Sequence, residues 1–157
     1  MSVGVQVGYR QVITNIGGNK MKFSQRSINN LKGVHLDLVR VMHEAIKDTP
    51  IDFTIVEGVR TAQRQQELYA QGRIKPGPVV TQVDGVRKKS NHQVKSDGYG
   101  HAVDLYPYFN GSVQVNAVKE LKVIAAHILA TAKRLGVPVE WGGDWKMRDY
   151  PHFEMKI

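Results

Sequence analysis

The stretch that most constrains this chain is residues 118–135, where Val118, Leu121, Ile124, Ala125, Ile128, Leu129, Ala132 and Leu135 recur at helical spacing. Such a stripe is stable only when another layer covers it. Asn116 is placed to cap this helix, and Gly136 with Pro138 to end it. The candidate covering layers lie on both sides. Upstream, Phe23-Ser24 reads as a staple-and-cap entry to a short helix. A longer helix follows, with Leu38, Val39, Met42, Ala45 and Ile46 on one face until Thr49-Pro50. The β-branched run Ile51 to Val56, bounded by Pro50 and Gly58, reads as a core strand. Thr61 caps a helix through Leu68 and Tyr69 to Gly72.

Downstream, Ala102 to Tyr106 is a strand reversed at Asn110-Gly111. Two short β-like pieces, residues 137–141 and 152–157, flank the turn Gly142-Gly143-Asp144-Trp145. Helices first and strands gathered toward the C-terminal half predict an α+β fold, a single domain with a small antiparallel sheet packed by helices on one side. Residues 1–22 form an N-terminal arm, with apolar–polar alternation through Val3, Val5, Val7 and Tyr9 before Gly17-Gly18. Residues 23–157 form the folded domain. Residues 73–89, rich in Pro, Gly and basic side chains, read as a loop or flap.

Composition narrows the chemistry. With 157 residues the chain can bury a core without a structural metal or disulfides. It has no cysteine, which leaves imidazole and carboxylate as metal ligands. Lys and Arg number 22 against 14 Asp and Glu, a formal charge of +8 that favours encounter with a polyanion such as nucleic acid or an anionic cell wall. The basic residues are scattered apart from Arg87-Lys88-Lys89 and accompany no nucleic-acid motif, so no nucleic-acid partner is expected. Nothing approaches the roughly 18 apolar residues of a membrane span, and no signal peptide opens the chain. The expectation is a cytoplasmic chain without stable membrane insertion.

Three residues stand out within and beyond Ser90 to Pro107. A catalytic zinc takes three protein ligands and keeps one open position, and His92, Asp104 and His152 supply such a set. On an extended 102–105 segment Asp104 shares a face with Ala102, so His101 points away from the metal. Pro151 keeps Asp149 and His152 out of a helix and places them on a turn entering a strand. From there Asp149 can act as a base: zinc lowers the pKa of water to about 7 and a carboxylate takes the proton. Glu154 and Glu57 are the competing bases, Glu154 the stronger because it shares a strand face with His152. His35 and His43 read as surface or helix-edge histidines and His127 as a structural one, and Asp97 and Asp144 as turn residues.

Ser90-x-His92 followed by Gly100-x-Ala102-x-Asp104 resembles the signature of the zinc D-Ala-D-Ala-peptidase-like family, which includes the VanX and VanY enzymes and phage peptidoglycan endopeptidases. The spacer between His92 and Gly100 is longer than in the short form of that signature. Glu57-Gly-x-Arg60-Thr, Asp104-Leu-Tyr-Pro107, Trp141-Gly-Gly-Asp-Trp145 and Asp149-x-x-His152-Phe-Glu154 bring the chain nearest the phage endolysin branch that cleaves L-alanyl-D-glutamate bonds. The likeness covers about Phe23 to the C-terminus.

The resemblance implies a hedgehog/DD-peptidase-like fold and Zn2+ on His92, Asp104 and His152. It implies Asp149 as general base and then acid, and Arg60 holding the oxyanion. Ser90 would support a ligand by a hydrogen bond, and Trp141 would line the cleft. Many relatives carry Glu-x-x-His where this chain has Asp149-x-x-His152, so the shorter carboxylate must approach the metal more closely. The implied activity is hydrolysis of peptidoglycan stem peptides by a monomeric phage or prophage endolysin, which reaches the wall from the host cytoplasm after another protein permeabilises the membrane. The alternatives are a D-alanyl-D-alanine carboxypeptidase or dipeptidase, and a wall-binding module without catalysis.

Overall fold

The computed structural model describes residues 21–157; the first twenty residues of the expected N-terminal arm lie outside the described residues. Helices α1 (Gln25–Asn30) and α2 (Leu36–Lys47) precede strand β1 (Phe53–Glu57) and helix α3 (Ala62–Ala70). After a long irregular segment come β2 (Ala102–Phe109), β3 (Ser112–Val113), α4 (Val118–Leu135), β4 (Val139–Trp141), a 3-10 turn (Gly142–Asp144) and β5 (His152–Met155). The five strands form one antiparallel sheet in the order β1-β2-β5-β4, with β3 paired to β2.

The stripe on α4 finds its cover in α2 and one face of the sheet. Leu121, Ile124, Ala125, Ile128 and Ala132 pack in one cluster with Leu38, Val41, Met42, Ala45 and Ile46 of α2 and with Phe53, Ile55, Val103, Leu105, Phe153 and Met155 of the strands. Alternation along each strand sends the intervening side chains to the opposite face. That face carries the polar residues of interest. Among the described residues no helix is long and apolar enough to cross a membrane.

Short helix α1 has a different task. Ser24 caps it by accepting from the Ser27 amide (3.2 Å), and Phe23 is buried in the core. The Ser27 hydroxyl accepts from the Ile55 amide (3.0 Å), and Asn30 Nδ2 donates to the Ile55 carbonyl (2.8 Å). The open edge of β1 is thereby covered by side chains rather than left as a template for another strand.

The caps differ in one respect from expectation. Asn116 does not cap α4: Ala117 holds that position with no side-chain bond, and the Asn116 carbonyl instead accepts from the Val118 amide (3.0 Å) in a tight turn. His35, read as a surface or helix-edge histidine, caps α2, its Nδ1 accepting from the Asp37 amide (3.1 Å). The hairpin turn is as expected, with positive φ at both Asn110 (54°) and Gly111 (76°).

Residues 73–89 contain no helix or strand, but the segment is tied down. Fully buried Gln65 of α3 donates to the Val83 carbonyl (2.7 Å). Gln93 donates to the Gly85 carbonyl (3.1 Å) while accepting from the Ser90 amide (2.9 Å). Two amide side chains thus fix the flap against the segment that carries His92.

Asp52, at the entry to β1, gives a stability prediction. Burial pushes its carboxyl up to about 6, against the opposing hydrogen bond from the Phe53 amide. A carboxyl whose folded pKa lies above its unfolded value binds more protons when folded, so it costs stability as pH rises from about 4 through 6. Asp52→Asn should therefore raise the melting temperature at pH 7.5 and leave it nearly unchanged at pH 4. Thermal unfolding at the two pH values checks this.

Candidate metal and active site

Pairing of β2 with β5 sets Asp104 directly opposite His152, with Val103 opposite Phe153 beside them. Val103 and Phe153 enter the core, so Asp104 and His152 share the other face. His92 arrives from the irregular segment, where its carbonyl accepts from the Arg60 amide (2.8 Å) and its amide donates to Ser90 Oγ (3.1 Å). His92 Nε2, His152 Nδ1 and Asp104 Oδ1 form a nearly equilateral triangle with edges of 3.2, 3.3 and 3.3 Å.

That triangle tests the metal reading. A tetrahedral ion with bonds of about 2.0–2.1 Å separates its ligands by about 3.3–3.4 Å, and the three donors already stand at that spacing. Asp104 Oδ1 is also buried and makes no hydrogen bond of acceptable geometry. A buried carboxylate oxygen aimed at two imidazole nitrogens is costly unless a cation shares it. The residues fit a zinc-type ion.

The outer nitrogens of both imidazoles are engaged. His92 Nδ1 lies 2.8 Å from the Gly58 carbonyl and His152 Nε2 lies 2.7 Å from Glu154 Oε1. Donation to these oxygens leaves His92 Nε2 and His152 Nδ1 as the ligating atoms. Glu154, read as the rival base, is thus occupied in orienting His152.

Charge agrees with this arrangement. Burial disfavours the ionised Asp104, but His152 and His92 outweigh it and hold the carboxyl far below the usual carboxylate range. Burial likewise disfavours protonated His152, yet Asp104 and Glu154 push it up to about 9. A field that holds a proton there also favours a cation.

Ser90 supports the His92 backbone amide rather than its ring; the ring's support is the Gly58 carbonyl. Arg60 emerges after β1 with Nη2 3.7 Å from Asp104 Oδ2. Its guanidinium is clamped from two sides, Nη2 donating to Glu57 and Nη1 to Gln65 Oε1 (2.8 Å). Its Nε is buried without a partner among the described residues. Glu57, the other rival base, is engaged in this clamp. The sequence reading missed Gln65; a glutamine one turn into the helix after Arg60 was its only signal.

Asp149 stands on the turn before β5, with Oδ2 4.0 Å from His152 Nδ1 and its side chain 49% exposed. Burial, then the negative charge of Asp104, raises its pKa. Gly142 makes this position possible: its carbonyl accepts from the Asp149 amide (2.9 Å), and a Cβ there would meet the Asp149 carbonyl oxygen at 2.3 Å.

Trp141 does not line the cleft on the side of the triad. It pairs with Phe153 across β4 and β5, stacks on that core ring and donates from Nε1 to the Tyr150 carbonyl (2.7 Å). The aromatic beside the metal ligands is Trp145, 5.1 Å from the His152 ring and held by an Nε1 bond to Glu140 Oε1 (2.8 Å). His101 lies away from the triangle, as expected, with Nε2 2.7 Å from Asp97 Oδ2. Asp97 also closes its turn by accepting from the Tyr99 amide (3.0 Å).

A donor triangle with two corners on the sheet, flanked by a carboxylate and a guanidinium, is the equipment of a metal-assisted hydrolase. The phage L-alanyl-D-glutamate peptidase family model matches residues 19–156, and the chain belongs to that family. It is 30% identical over 135 residues to the L-alanyl-D-glutamate peptidase of Escherichia phage T5, covering 86% of this chain and 89% of that one. It is 39% identical over 111 residues to the peptidoglycan L-alanyl-D-glutamate endopeptidase CwlK of Bacillus subtilis (strain 168). That match covers 67% of this chain and spans only 61% of the relative's length. The crystal structure of the Serratia marcescens L-Ala D-Glu endopeptidase ChiX superposes with a TM-score of 0.71 at 34% identity, over 87% of this chain and 91% of that one.

The Glu154 contact yields a prediction. Glu154→Gln should weaken binding of a divalent metal at this triangle about 10–100-fold, measured by competition with a chromophoric chelator, while leaving the fold intact. Unchanged affinity would remove Glu154 from the site.

Proposed function

We propose that the protein is a zinc-dependent endopeptidase that hydrolyses the L-alanyl-D-glutamate bond of peptidoglycan stem peptides, acting as a phage or prophage endolysin. The observation that carries this reading is the donor triangle of His92, Asp104 and His152, whose 3.2–3.3 Å edges suit one tetrahedral ion, in a chain of this family. Bound there, zinc supplies Lewis-acid polarisation of the scissile carbonyl and lowers the pKa of water to about 7.

The chain's own groups do the rest. Asp149 takes a proton from the attacking water and returns it to the leaving glutamyl amine. Its raised pKa brings its proton affinity nearer that task, and its half-exposed position lets substrate and water reach it. Arg60 donates to the oxygen that becomes negative as water adds. The Glu57 and Gln65 clamp fixes the guanidinium beforehand, so little reorganisation is needed during reaction. Trp145 shields one side of His152 from water. The net charge of +8 favours approach to an anionic wall. In this reading the chain works as a monomer, held in the host cytoplasm until another protein opens the membrane.

Two measurements on purified cell wall test the proposal. Mass spectrometry of the digest should show new N-terminal D-glutamyl residues, whereas release of D-alanine alone would contradict the bond assigned. Asp149→Asn should lower kcat at least about 100-fold with zinc affinity retained, as removal of a general base does. Full activity in that variant would overturn the mechanism.

A further inference from the structure

The strand that supplies Asp104 continues beyond the site. Asp104, Tyr106 and Tyr108 alternate onto one face of β2, four residues from first to last, or about 13 Å at about 3.3 Å per residue. Tyr106, half-buried, follows Asp104 on that face. Its hydroxyl has no hydrogen-bond partner among the described residues.

Tyr108 opens onto a separate cavity of about 460 Å3, shared with Thr54 of β1 and Val113 of β3. This volume falls within the range of small-ligand sites, about 300–1,000 Å3. Lys22 and Arg26 line it from the α1 side, both exposed and neither ion-paired among the described residues. Asp52 lines it too and supplies an acceptor. Two cations with one acceptor, set among aromatic and apolar surfaces, suit a peptide end that brings a free carboxylate and an N–H.

We propose that this cavity is a second substrate subsite, which takes the carboxylate-bearing far end of the stem peptide on the glutamyl side of the scissile bond. The inference rests on the peptidase reading above. Charge and length support it. The glutamyl side carries the free carboxylates that Lys22 and Arg26 can meet. The 13 Å from Asp104 to Tyr108 is the reach of about four extended residues. Tyr106 stands between Asp104 and Tyr108 on that face of β2, and Tyr108 lines the cavity. Neither cation belongs to the catalytic machinery, so the subsite sets affinity for long substrates rather than the rate of bond cleavage.

The test uses two N-acylated peptides: a short one ending at an amidated glutamyl residue of the L-Ala-D-Glu pair, and a long one extended by three residues to a free carboxylate. Binding of each to the zinc-loaded Asp149→Asn chain is measured by calorimetry, with and without Arg26→Glu and Lys22→Glu. Both substitutions should weaken the long peptide, together by about three- to tenfold, and leave the short one unchanged. Tyr108→Ala should act in the same direction. Equal affinity for long and short peptides, or equal weakening of both, would overturn the subsite. Product analysis with the wild-type chain reads the other claim separately: cleavage at a different bond, with the long-peptide preference intact, refutes the bond assigned and supports the subsite.

Discussion

The antiparallel register between β2 and β5 is the constraint on which the site depends. It sets Asp104 against His152 on one face, while Val103 and Phe153 beside them fill the core. Because side chains alternate, a slip of one residue would send both donors into the core and two apolar side chains to the site. The apolar neighbours therefore hold the polar pair in place. Burial of Phe153 and Val103 against α2 and α4 positions Asp104 and His152, although neither helix carries a member of the triangle.

Around that pair, structure is arranged in order of rigidity. The two strand-borne donors sit on the central strands β2 and β5, and His92 is held beside them by the Gly58 carbonyl and by the backbone bond between Arg60 and His92. Arg60 is clamped at both terminal nitrogens. Asp149 alone stands on a half-exposed turn, where Gly142 allows the close backbone approach it needs. A group that must exchange protons with water benefits from that exposure. A group that must hold a fixed distance from an ion does not.

Much of this was legible in the sequence. The stripe on α4 required a covering layer, and the strands clustered near the C-terminus supplied it. His101 could be excluded because alternation about Asp104 is a local property, while the set of His92, Asp104 and His152 rested on their donor types and on the resemblance to the zinc peptidase signature. What was not legible depended on register between distant segments. Trp141 and Trp145 are equally plausible cleft residues until Trp141 is seen opposite Phe153, which points it toward the core. Glu154 shares a face with His152, as expected, but only the ring orientation shows that it holds the imidazole. Gln65 carries no signal because a buried glutamine in a polar helix has meaning only once Arg60 and the flap are placed beside it. Asn116 failed as a cap because the preference for Asn at that position is worth only about 1 kcal/mol, and the packing of α4 fixes where the helix begins.

The most direct test of the account is anomalous scattering across the zinc absorption edge from crystals of the active protein. One peak per chain is expected, within bonding distance of His92 Nε2, Asp104 Oδ1 and His152 Nδ1. A peak at another group of side chains, or full activity from protein whose crystals show no peak at this triangle, would contradict it.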